Sequence, residues 1–122
     1  MTEKREDCER LLSVMRQVPE AIREGKRWIW FKWGYNIVLV DKKLCKVHRV
    51  IWDVSEKISA ETITIYEIPL PIEIGGYSPQ FSELEFLFGS HWMVVLEKSR
   101  KLEEDEKREI IASLKKDLGI DL

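Results

Sequence analysis

Between Arg27 and Val40, fourteen residues hold three tryptophans, a phenylalanine, a tyrosine and five branched aliphatic residues, interrupted only by Lys32, Gly34 and Asn36. Aromatic and β-branched residues at this density favour extended chain. Gly34 stands at the first central position of a two-residue connection, where a type II′ hairpin turn demands positive φ. Pairing Trp33 with Asn36 sets Phe31 opposite Val38 and Ile29 opposite Val40 on one side of the sheet. Trp30 then meets Leu39, and Lys32 meets Ile37, on the other. A second two-residue turn, Lys42-Lys43, is expected to pair Asp41 with Leu44, which brings Cys45 and Val47 to the side of Val40 and Val38.

The two hairpins divide the side chains into unlike sets. Ile29, Phe31, Trp33, Val38, Val40, Cys45 and Val47 form an apolar core face. Trp28, Trp30, Lys32, Ile37, Leu39, Lys46 and His48 form an aromatic and basic one. Formal charge follows the same division, since residues 23–52 sum to +6 and residues 53–97 to −7 within a chain of net charge −2.

The remaining segments frame this sheet. Cys8, Leu11, Leu12, Met15 and Val18 recur at three- and four-residue steps, predicting a helix from Thr2 to Val18 that stops at Pro19. A short helical turn is expected over Pro19–Glu24, ending at Gly25. Further strands are expected over Leu44–Val54, Glu61–Ile68 and His91–Lys98. Ser78-Pro79 opens a short helix to about Phe88. A final helix spans Leu102–Leu118, with acids in its first turn, Lys115 and Lys116 in its last, and Gly119 as its stop. The expected order is α-β-β-β-β-α-β-α. The fold class is α+β: a single domain over residues 1–122 with a mainly antiparallel sheet of about five strands, helices at both ends and one short inserted helix.

Composition narrows the functional classes. An apolar content of 44% suffices for a core, and no apolar run approaches the roughly 18 residues of a membrane span. The charged N-terminus lacks the apolar stretch of a secretory signal. Cys8 and Cys45 match no metal-ligand or disulfide spacing, so a reducing cytoplasm is the expected compartment. Charged residues at 34% beside only three amides, Gln17, Asn36 and Gln80, fit a thermophilic source.

No catalytic motif emerges. Cys45-x-x-His48 resembles half a zinc site, but strand positions three apart face opposite ways. Asp41-x-Lys43 has a spacing seen in metal-dependent nucleases, without a second carboxylate on the preceding strand. Ser90-His91 lacks the frame of a nucleophile elbow. No metal and no cofactor is expected.

The aromatic and basic face is therefore the candidate surface. The expected function is a non-catalytic interaction module that binds a partner protein, or a second copy as a homo-oligomer, through Trp28, Trp30, Lys32, Leu39, Lys46 and His48. The same face would suit single-stranded nucleic acid, with bases stacked on the rings and Lys26, Arg27, Lys42, Lys43 and Arg49 tracking phosphates. A small metal-dependent nuclease around Asp41 and Lys43 is the third reading. All three assume that the Trp28/Trp30 face is open; the competing arrangement has the 79–88 helix cover it as a second core layer.

Overall fold

The structure, a computed structural model, describes residues 2–69 and 98–122, with side chains from Arg5 onward. Helix α1 (Thr2–Met15) leads through a 3-10 turn (Pro19–Ala21) into six strands, and helix α2 (Glu104–Leu118) follows them. The strands are β1 (Ile22–Glu24), β2 (Trp28–Trp33), β3 (Asn36–Asp41), β4 (Lys46–Trp52), β5 (Ile63–Ile68) and β6 (Arg100–Lys101). They lie side by side in chain order, each antiparallel to the next. The described residues thus form an α+β fold, a six-stranded antiparallel sheet with a helix packed on each face. The expected 79–88 helix and all but the last residue of the expected 91–98 strand lie outside the described residues.

The first hairpin has the anticipated register. Trp33 pairs with Asn36, Phe31 with Val38 and Ile29 with Val40, and Gly34 carries the positive φ of the turn, +61°. The second hairpin differs. Asp41 pairs with Lys46 rather than Leu44, because its side chain reorganises the connection: Oδ1 accepts the backbone N–H of Lys43 (3.0 Å) and of Leu44 (3.2 Å). The chain curls around that carboxylate through four residues and leaves by Cys45, which is left-handed at φ +52°. A slip of two residues restores side-chain parity, so the division into two faces survives. The expected helical turn over 19–24 is also shorter than predicted. After Ala21 the chain extends into β1, where Ile22, Arg23 and Glu24 pair with Phe31, Trp30 and Ile29.

Each face carries its own core. Beneath α1, Cys8, Leu11, Leu12 and Met15 pack on Ile29, Phe31, Val38, Val40, Cys45, Val47 and Ile68. Beneath α2, Leu114 together with Leu102 and Ile120 packs on Trp28, Trp30, Ile37, Leu39, Val50, Ile63 and Ile65. Trp33 is the exception to the predicted core face. It points to the α1 side, but it sits at the hairpin end and is 53% exposed.

Helix α2 is well terminated. The Glu106 carboxylate accepts the Glu103 N–H at 3.1 Å, and Gly119, left-handed at φ +71°, donates its N–H to Lys115 at 2.9 Å. The Gly119 end matches the predicted stop, whereas the helix begins at Glu104, two residues later than expected, behind a capping box at Glu103.

Candidate functional site

The strand parity that defined the aromatic face is correct, but the face is not a surface. Trp28 is 1% exposed and Trp30 8%, and Leu39 and His48 are equally sealed. Both alternating sets of β2 and β3 are apolar, so the sheet must be covered twice. Among the described residues the cover is the C-terminal helix, whose Leu114, Ile110, Ile111 and Leu118 pack into this cluster. An exposed Trp28/Trp30/Leu39/His48 platform is therefore ruled out for the folded chain, and with it the premise shared by the protein-binding and nucleic-acid readings of that face.

Polar groups lock the cover in place. The Asp117 carboxylate accepts the backbone N–H groups of Lys26 (3.0 Å), Arg27 (3.1 Å) and Trp28 (2.8 Å), and these donors hold it below its usual pKa. The Trp28 Nε1–H donates to Ser113 Oγ at 2.7 Å. Gly25 makes the approach feasible, since a Cβ there would lie 2.4 Å from an Asp117 oxygen.

At the edge of this layer, several of the predicted residues do converge. Arg27, Trp28, Lys46 and His48 line a cavity of about 150 Å³ together with Asp41 and Glu67. The Arg27 guanidinium stacks over the Trp28 ring, 5.3 Å from its centre. It also grips Asp41 through two bonds, Nε at 3.1 Å and Nη2 at 2.7 Å. Lys46 faces Glu67 at 3.6 Å. His48 lies 6.0 Å from the Trp28 ring, and its Nδ1 has no hydrogen-bond partner. Burial pushes its pKa down to about 4, so the ring is neutral at physiological pH.

The Asp41 carboxylate is consumed by this arrangement. Arg27 and two turn amides saturate it, and Lys43 stands exposed on the turn. The pair does not form a metal-binding corner, and among the described residues no group of three His, Cys, Asp or Glu side chains could hold a metal ion. The basic candidates for phosphate contact are similarly committed. Arg49 is buried with its guanidinium on the Asn36 amide oxygen, Arg27 is on Asp41, and Lys42 bonds Glu24 and the Gly25 carbonyl, both at 2.7 Å. Lys26 and Lys43 remain exposed.

Neither a family model, nor a curated protein, nor a solved structure matches the chain.

Among the described residues, the end of the first hairpin exposes large aromatic side chains. Trp33 and Tyr35 are 53% and 72% exposed, and Lys32 beside them is exposed as well. The Trp33 ring leans on Phe31, 6.4 Å between centres, and the Lys32 ammonium donates to the Gly34 carbonyl at 3.0 Å. Strand pairing brings Trp52 and the exposed Val54 to the same end of the sheet. Sequence reasoning assigned Trp33 to the core and Tyr35 to a turn. The missed signal is positional, because a ring beside a two-residue turn lies beyond the reach of a helix packed across the strand centres.

Proposed function

We propose that this chain is a non-catalytic interaction module that docks a partner protein through the tip of its β2–β3 hairpin. The observation that carries this is the exposure of two large aromatic side chains, Trp33 and Tyr35, on a turn of defined geometry. Trp and Tyr are the commonest energetic anchors of protein interfaces, and they lose little side-chain entropy on binding. The tip is also stiffened in advance, by the Phe31 contact under Trp33 and the Lys32 bond across the turn. The partner chemistry that fits is an apolar recess with carboxylates at its rim, which Lys32 would meet.

Self-association through this surface is disfavoured. A two-fold contact sets each patch against its own copy, so the Lys32 ammonium groups would converge. Sheet extension is disfavoured too, because the outer strands β1 and β6 are short and carry Arg23, Glu24, Arg100 and Lys101.

The test is site-specific photo-crosslinking in cells of the native source, with the photoreactive residue at Tyr35 or, as a control, at exposed Lys57. The expected outcome is one protein captured from Tyr35 and not from Lys57. With that protein purified, Trp33→Ala should weaken binding by roughly 10- to 100-fold. Equal capture from both positions, or unchanged affinity in Trp33→Ala, would defeat the proposal.

A further inference from the structure

The two cysteines lie 37 positions apart in the chain, yet they belong to one buried cluster beneath α1. Cys8 lies on α1 and Cys45 closes the β3–β4 turn, and both side chains are buried in that one cluster. Two further observations set Cys45 apart from ordinary core filling. Its backbone is left-handed, a conformation that glycine or asparagine adopts at lower cost. Its Sγ is also turned back into the turn, 3.9 Å from the Lys42 carbonyl oxygen, and that carbonyl accepts the Arg5 guanidinium of α1 at 3.2 Å. The turn and the helix thus meet at this point through both side chain and backbone.

We propose that Cys8 and Cys45 are a reversible redox pair whose oxidation joins helix α1 to the β3–β4 turn through an intramolecular disulfide. The oxidant class is a low-molecular-weight disulfide such as oxidised glutathione. One cysteine thiolate attacks it, forming a mixed disulfide and expelling one small thiolate. The second cysteine then displaces the other small thiolate as the protein S–S bond forms. Each cysteine gives up one proton and one electron, and the small disulfide is reduced to two thiols.

Both thiols are buried while the fold is closed. Burial, followed by the neighbouring Cys45 thiol, pushes Cys8 up to about 12, which leaves almost no thiolate at neutral pH. Reaction therefore waits for α1 to lift from the sheet, and it runs faster where mild denaturant favours that opening. Once formed, the bond closes a loop from residue 8 to residue 45 and restricts the unfolded chain accordingly.

The experiment uses the full chain, reduced or refolded in a buffer of oxidised and reduced glutathione, with thiol titration, intact mass and thermal unfolding as readouts. Both thiols should disappear together, giving a monomer lighter by two hydrogens and free of glutathione. Its midpoint of unfolding should rise by roughly 10 °C and return to the starting value with dithiothreitol. Cys8→Ala and Cys45→Ala should each abolish the rise. Should either variant fail to fold, the wild-type thiol count and mass decide alone. Retention of both thiols after refolding, a stable glutathione adduct, or a disulfide-linked dimer would overturn the proposal.

Discussion

At Asp117 a single carboxylate gathers three consecutive backbone N–H groups at the start of β2, and Gly25 is the residue that lets it approach. Gly25→Ala forces those oxygens away and strands the half-buried donors of Arg27 and Trp28, so a loss of about 1–3 kcal/mol is expected in denaturant unfolding. Gly34→Ala meets no atom within 4 Å and bears only the positive φ, a penalty nearer 1 kcal/mol. His48 offers a different measurement. Its ordinary pKa of 6.5 falls to about 4 in the fold through burial, so the unfolded chain takes up the proton first as pH drops. Stability from this group is complete above pH 6.5, declines between 6.5 and about 4 by about 3 kcal/mol, and then levels. His48→Phe should flatten that window. Glu24, held down to about 2 chiefly by the Arg16 bond, loses its contribution only at lower pH, from 4.5 downward, so the two effects are separable.

Among the elements, α2 decides what the aromatic residues do. Leu114 is 1% exposed at the centre of its packing face, and Leu114→Ala should cost about 2–5 kcal/mol and shift tryptophan emission to the red as the cover loosens. Most of this architecture was legible in the sequence. The helical periods, the turn at Gly34 and the stop at Gly119 are local signals, and parity needs only the pleat. The β3–β4 register was not legible, since it depends on the Asp41 side chain folding back onto its own turn. Which element covers Trp28 and Trp30 was equally hidden. Periodicity marks α2 as amphipathic but does not say which sheet face it seeks, and the deciding contacts, Asp117 to Lys26–Trp28 and Ser113 to Trp28, join residues some ninety positions apart. The candidate surface was misplaced for that reason. Trp30 and Trp33 look alike in composition, but Trp30 lies under α2 while Trp33 sits on the opposite face at the hairpin end, beyond the cover of α1.

For the whole molecule, the working prediction is that folding and binding separate cleanly. Trp33→Ala removes a half-exposed ring and should change stability by less than about 1 kcal/mol while it weakens the proposed partner contact. Sedimentation of the isolated chain should give a monomer at all accessible concentrations, and a concentration-dependent mass would return the surface to self-association. The charge division does not by itself argue for dimers. Part of it is neutralised within the fold, by Lys46 and Arg100 on Glu67.

Strand order equal to chain order carries a consequence for synthesis. Each of β2 to β5 finds its neighbour already made when it leaves the ribosome, so the meander can assemble vectorially with little waiting. The indoles of Trp28 and Trp30 have no such luck. Their lid is translated only after the strands it covers, and a nascent or prematurely terminated chain displays a sticky aromatic wall that the folded chain hides, the kind of surface that chaperones and quality-control proteases read.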